Sequence, residues 1–137
     1  MMKILAVVGA STFLALTFAQ FTAKDVTGNW EGESKCVNLK AAPACKDEHV
    51  IFHITGIPKK PGSVRVQASK VINKQEEDMG DLTFTIDPKS SSITNEFVNN
   101  GTRGFWKLTI KGDNMTGTLS KDKVVVRKIT LKAQKKA

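Results

Sequence analysis

The chain is predicted to be an all-β domain, an eight-stranded antiparallel up-and-down barrel, on the strength of three observations. About eight short segments alternate apolar and polar residues with the period of two that a half-buried strand shows. Polar turns rich in glycine, asparagine and proline separate these segments. No long segment carries an apolar stripe with a helical period. Closing eight strands into a barrel removes exposed edges, and a β-sandwich of the same strands is the alternative.

The strands follow from the alternation taken in chain order. In the first, Val26, Gly28 and Trp30 share one face. Two prolines and two glycines mark 56–62 as a loop, and the acidic stretch 73–80 is predicted to be a turn region. Asn100-Gly101 is typical of a hairpin turn, because both residues tolerate a positive φ. The predicted strands are 25–34, 49–55, 63–72, 81–87, 92–98, 104–111, 115–120 and 123–132.

Residues 1–19 are predicted to be a signal peptide. Lys3 gives a basic start, an apolar run covers 4–18, and Thr17 and Ala19 supply small residues before the cleavage point. The run is shorter than the roughly 20 apolar residues that a membrane helix needs. We therefore expect no membrane span, a single β-barrel domain over 20–137, and a secreted or periplasmic location.

The two cysteines, Cys36 and Cys45, are predicted to form a disulfide. Cysteine pairs in exported chains usually do so. A zinc site is a poor alternative, because two thiols alone do not complete a tetrahedral shell. We expect neither a metal nor a cofactor.

The formal charge is +8, or +7 without the signal peptide, whose only charged residue is Lys3. The lysines are spread along the chain and become dense only in 132–137. Such a surface aids solubility, or it meets an anionic partner such as an envelope component. Nucleic-acid binding is not expected, because most aromatic residues fall on the apolar faces of the strands instead of among the basic residues.

Gly28-x-Trp30 near the start and Arg127 in the last strand resemble the signature of the lipocalin and fatty-acid-binding superfamily. The resemblance implies that Trp30 packs beneath Arg127 in a cation–π contact and that both residues are structural. Residues 27–30 also look like the opening of avidin-type barrels, although the biotin-contacting aromatic and hydroxyl residues of that family have no clear counterparts in this chain. If Trp30 and Arg127 close one end of a barrel, a ligand site is expected at the opposite end.

Most of the domain is also similar to a group of short exported bacterial proteins. These share a Trp-Gly-rich opening, a cysteine-bounded loop followed by Asp-Glu, an Asp-Met-Gly before a strand, a Met-x-Gly-Thr-Leu strand and a terminal Arg-Lys-Ile strand. This resemblance implies no activity. The matching positions in this chain are Trp30, Gly32, Cys36, Cys45, Asp47, Glu48, 78–80, 115–119 and 127–129.

Other polar groups give no sign of catalysis. His49 and His53 are four residues apart on one strand face, about 13 Å, which is too far for one metal ion. The acidic run 76–78 does not have the spacing of a calcium loop and is interpreted as a solvated turn. No nucleophile motif is present. The chain is therefore predicted not to be an enzyme.

The predicted function is that of a monomeric, lipocalin-like binding protein that holds a small apolar or amphipathic ligand in the barrel mouth. The same lining residues could instead fill the interior, because an eight-stranded barrel is only just wide enough for a ligand. The alternative function is a basic interaction module that binds an anionic envelope partner. The candidate lining residues are Phe52, Val66, Phe84, Phe97 and Trp106.

Overall fold

A computed structural model, which describes residue 9 and residues 20–134, contains one closed antiparallel β-barrel. Each strand pairs with the next along the chain, and the last pairs back with the first. This arrangement confirms the up-and-down barrel and excludes the sandwich. Apart from residue 9, the predicted signal peptide lies outside the described residues, as does the end of the basic tail, 135–137. The elements are α1 (Ala23–Val26), β1 (Gly28–Cys36), β2 (Glu48–Ile57), β3 (Lys60–Ile72), β4 (Gln75–Asp87), β5 (Ser92–Asn99), β6 (Thr102–Lys111), β7 (Asn114–Lys121) and β8 (Val124–Ala133).

The first strand begins later than predicted, because the residues before it form the short helix α1. The backbone N–H of Thr22 donates to Oδ2 of Asp25 at 2.8 Å, which satisfies a donor at the start of the helix. Gly28 then adopts a φ of 134°, a value that favours glycine, and leads the chain into β1. Val26 is therefore buried by the helix and not by strand alternation.

The stretch 73–80, predicted to be a turn region, is mostly strand. The turn contains only Asn73 and Lys74, which have φ values of 52° and 64°. The acidic residues that follow have low strand propensity, but partners on β3 complement them. Lys70 pairs with Glu77 at 3.9 Å. Cross-strand pairing thus extends both strands past the predicted boundary.

The inward faces of the eight strands form a single apolar core. Gly32 of β1 lies against the backbone of β8: a Cβ at this position would clash with the Thr130 carbonyl oxygen. A larger residue would push the two strands apart. The buried apolar residues of the barrel strands are Trp30, Val50, Phe52, Ile54, Val64, Val66, Phe84, Ile86, Ile93, Leu108, Ile110, Met115, Leu119, Val126, Ile129 and Leu131.

Candidate functional site

One end of the barrel, which we call the closed end, is sealed by α1. Val26 is fully buried, and Phe21 and Ala23 pack against the same core. Trp30 is 3% exposed, and its indole N–H donates to the Val26 carbonyl oxygen at 2.8 Å. Since this bond satisfies the only polar group of the indole ring, Trp30 can be buried completely. The structure thus places Trp30 in the core beside α1.

Arg127 does not lie over Trp30, and the predicted cation–π pair is wrong. In the sheet register, Trp30 is opposite Ala133 of β8, whereas Arg127 is opposite Cys36. The two residues are thus separated by six positions along β1, about 20 Å. Arg127 instead donates from Nη1 to Oγ of Ser34 at 3.1 Å and from Nη2 to Oε1 of Glu48 at 3.3 Å.

A bulge in the β7–β8 pairing sets the direction of Arg127. The register shifts between Leu119 and Ser120, so that Leu119 pairs with Arg127 while Ser120 pairs with Val125. Val126 is the extra residue and is buried, whereas Val125 is exposed. Strict alternation along β8 would place Val125 and Arg127 on the same face. The bulge breaks that alternation at its start and leaves Arg127 inside.

The interior opposite the closed end holds a cavity of about 320 Å³. This volume falls at the lower end of the range for small-molecule sites. The cavity exists because the inward residues here are small: Ser34, Ala68 and Gly80 stand where larger residues fill the closed end. The full lining is Ser34, Glu48, Val50, Phe52, Val66, Ala68, Met79, Gly80, Asp81, Leu82, Phe84, Trp106, Leu119 and Arg127.

Four of the five residues predicted to line a site are brought together around this cavity: Phe52, Val66, Phe84 and Trp106. Phe52 and Trp106 meet edge to face, with ring centroids 6.4 Å apart and an interplanar angle of 81°. Edge-to-face contact is a favoured aromatic geometry, so the two rings hold each other in place.

Phe97, the fifth predicted residue, does not line the cavity. It is paired with Gly104 across β5 and β6, and a Cβ on Gly104 would lie 2.1 Å from the Phe97 ring. The ring therefore rests on the glycine backbone. Phe97 needs Gly104 in order to lie flat against the wall, a pairing that strand alternation alone did not indicate.

Sequence reasoning missed the polar corner of the cavity, formed by Ser34, Glu48 and Arg127. Ser34 and Glu48 face each other across β1 and β2. The sequence did indicate the position of Ser34. It lies four residues after Trp30 on the same strand, so alternation places both side chains on the inward face. Glu48 was interpreted only as part of the Asp-Glu pair after the cysteine loop.

The barrel wall beside the cavity has a gap between β4 and β5. These strands pair at only three positions, Thr85–Thr94, Ile86–Ile93 and Asp87–Ser92, although β4 is 13 residues long. Beyond these pairs the strands separate, and two apolar lining residues are partly open to water: Met79 is 44% exposed and Leu82 is 39% exposed. The opening is thus a gap in the wall with an apolar rim.

The charged groups of the lining include two carboxylates and one guanidinium. Glu48 and Arg127 form an ion pair whose side chains are 25% and 16% exposed. Asp81 lies at the rim and accepts a hydrogen bond from Nε of Arg65 at 2.6 Å. Arg65 is not a lining residue. The lining itself therefore carries a formal charge of −1.

Both histidines lie on the outer face of the barrel. His49 bonds Glu33 through Nδ1 and Glu31 through Nε2, each at 2.8 Å. These hydrogen bonds raise the pKa of His49 above its usual 6.5, and the bond with Glu33 has a larger effect than the bond with Glu31. His53 bonds Glu76 at 2.6 Å. Among the residues that the structure describes, no three His, Cys, Asp or Glu side chains are grouped as a metal site.

The disulfide lies at the open end. Cys36 and Cys45 are bonded, with an Sγ–Sγ distance of 2.02 Å and a Cα–Cα distance of 6.0 Å. The Cys36 backbone N–H donates to Oδ1 of Asp47 at 2.8 Å. The bridge and this hydrogen bond hold the β1–β2 connection beside Ser34 and Glu48.

A second and larger groove, of about 670 Å³, lies outside the barrel between α1 and the turns at Pro88 and Gly112. It is wider open than the cavity and would leave a small molecule largely in water. The cavity inside the barrel is therefore the better candidate for a ligand site.

No family model matches the chain. No curated protein matches it either. Solved structures similar to it include fatty-acid-binding protein 1 of Echinococcus granulosus and a mutant of the fluorescent protein UnaG. Each is 11% identical, covers 82% of this chain and 99% of its own, and has a TM-score of 0.47. Within the described residues, no helix is long and apolar enough to cross a membrane.

Proposed function

We propose that the protein is an exported, non-enzymatic binding protein that holds a small apolar or amphipathic ligand in the barrel cavity. The observation that carries the proposal is a mostly apolar cavity inside the barrel with one polar corner. Apolar walls favour transfer of a ligand from water, and the few polar groups fix its orientation. The lateral opening beside Met79 and Leu82 gives such a ligand a route of entry.

The lining supports the amphipathic class more than the purely apolar one. Phe52, Phe84 and Trp106 offer an apolar wall, while the Glu48–Arg127 pair keeps hydrogen-bonding groups at the other side of the cavity. A ligand with one polar group could bond there and leave its apolar part against the aromatic rings. Buried polar groups of the protein would then stay satisfied in the complex.

The test is binding of a neutral apolar dye, Nile red, followed by fluorescence. Wild-type protein is expected to bind the dye with a rise in emission. Phe84→Arg places a charge inside the cavity and is expected to weaken binding at least about tenfold, because a buried unpaired charge is costly. Absence of dye binding to folded wild-type protein contradicts the proposal.

Two further variants make the result specific. Thr85→Arg introduces the same charge at the next position of β4, on the exposed face, and is expected to leave binding unchanged. Ala68→Phe fills the cavity without a charge and is expected to weaken binding as Phe84→Arg does. Equal binding by wild type and a folded Ala68→Phe variant would place the dye elsewhere.

An extracytoplasmic location is part of the proposal, and the Cys36–Cys45 disulfide supports it, because such bonds persist mainly in oxidising compartments. The alternative, a basic module for an anionic envelope partner, stays a prediction. One observation bears on it: Lys107 and Lys128 flank a groove of about 360 Å³ on the outer face of β6–β8.

A further inference from the structure

The polar corner of the cavity is already electrically balanced before a ligand enters. Arg127 is the cationic side chain of the lining, and Oε1 of Glu48 lies 3.3 Å from its Nη2. Its Nη1 is occupied by Oγ of Ser34 at 3.1 Å, with the Ser34 carbonyl oxygen at 3.4 Å. The positive charge that would attract an incoming anion is therefore already neutralised by Glu48.

The remaining charges of the lining do not attract an anion. Asp81 adds a second carboxylate at the rim, and Arg65, which lies outside the lining, pairs with it and offsets its charge. An anionic head group would lie close to Glu48 inside a largely apolar enclosure. Like charges brought together at such a partly buried position repel each other.

A neutral head group meets no such penalty. Arg127 carries five N–H donors, and the bonds above engage only its Nη1 and Nη2 groups. Glu48 bonds Arg127 through Oε1, which leaves Oε2 as an acceptor. A hydroxyl or primary amide can donate to the carboxylate and accept from the guanidinium at the same time. The corner is thus complementary to a group that is both donor and acceptor and carries no charge.

We infer that Glu48 is a specificity-determining residue, which makes the cavity select neutral amphipathic ligands with a hydroxyl or amide head over carboxylates of the same chain length. This inference rests on the proposed function, because it assigns the head group of the ligand in that same cavity. It also predicts that removal of the Glu48 carboxylate is enough to make the site bind anions, without any added cationic residue.

The experiment measures displacement of Nile red by decanol, decanamide and decanoate at about pH 8, where the acid is ionised in water. Wild-type protein is expected to bind decanol and decanamide at least about tenfold more tightly than decanoate, by the like-charge argument. In Glu48→Gln the amide oxygen still accepts from Arg127, so the guanidinium keeps its position. This variant is expected to reverse the order in favour of decanoate.

The control is Glu33→Gln, which removes a carboxylate from the outer face one position before Ser34 and changes the net charge equally. It is expected to keep the wild-type order. Tighter binding of decanoate than of decanol by wild-type protein overturns the inference, and this result does not depend on any variant folding. An unchanged order in a folded Glu48→Gln variant also overturns it. Failure of Nile red to bind wild-type protein would instead refute the proposed function.

Discussion

The two ends of the barrel are built from the same strands, but their interiors differ. At the closed end, Val26 and Trp30 fill the space, and the indole N–H of Trp30 donates a hydrogen bond to the Val26 carbonyl oxygen. At the open end, the equivalent inward positions hold Ser34, Ala68 and Gly80, which leave a cavity. Along β1 alone, the inward side chain changes from an indole to a hydroxymethyl group within four residues.

This difference shows how one barrel can be both a stable scaffold and a container. A close-packed interior gives stability, because every buried methylene group contributes dispersion and transfer free energy. A cavity gives up part of that stability. Here the closed end supplies the packing, and a disulfide and ion pairs hold the end that lacks it. Three changes would break or sharpen this comparison.

The largest effect is expected from Trp30→Ala. It removes a 3% exposed indole and its bond to Val26 from the closed end, and should lower the free energy of unfolding by about 3–5 kcal/mol. The measurement is urea unfolding followed by circular dichroism. Trp106→Ala is the matched control, because Trp106 borders the cavity and is only partly buried. Its loss is expected to be smaller, and equal losses would mean that the two ends do not differ.

The second-largest effect is expected from loss of the disulfide at the open end. Replacing Cys36 and Cys45 together by serine should lower the free energy of unfolding by about 2–3 kcal/mol, because the unfolded chain gains the freedom of a short loop. Urea unfolding measures this loss. Reductant added to the wild-type protein should reproduce it. A double variant as stable as the oxidised wild type would show that the disulfide does not stabilise the open end.

The smallest effect is expected from His49, which faces outward beside Glu48. Because Glu33 and Glu31 raise its pKa in the folded protein above 6.5, the contribution of His49 to stability is complete below pH 6.5 and is lost as the pH rises through the raised pKa. His49 is 41% exposed, so the contribution is expected to stay below about 1 kcal/mol.

The measurement is the difference in unfolding free energy between wild type and His49→Gln. This difference should be larger at about pH 5 than at about pH 8, the range in which histidine titrates. Glu33→Gln removes the largest cause of the raised pKa and should reduce the pH dependence. A difference that grows with pH would contradict the assignment.

Much of the wall could be predicted from local pattern. The period of two follows from strand geometry alone, so it placed Phe52, Val66, Phe84 and Trp106 on the inward faces without knowledge of their neighbours. Strand ends were less predictable. Residues 75–80 are acidic and turn-like in sequence, and only pairing with β3 makes them a strand.

The sequence by itself determined the barrel walls and the sulfur pair, because these depend on residue type and short-range periodicity. The tertiary structure alone decided the partner of Arg127, because register and a bulge set which residue of β1 it faces. It also decided the cavity. A cavity depends on the summed volumes of inward side chains from strands distant in the chain, and no local pattern contains that sum.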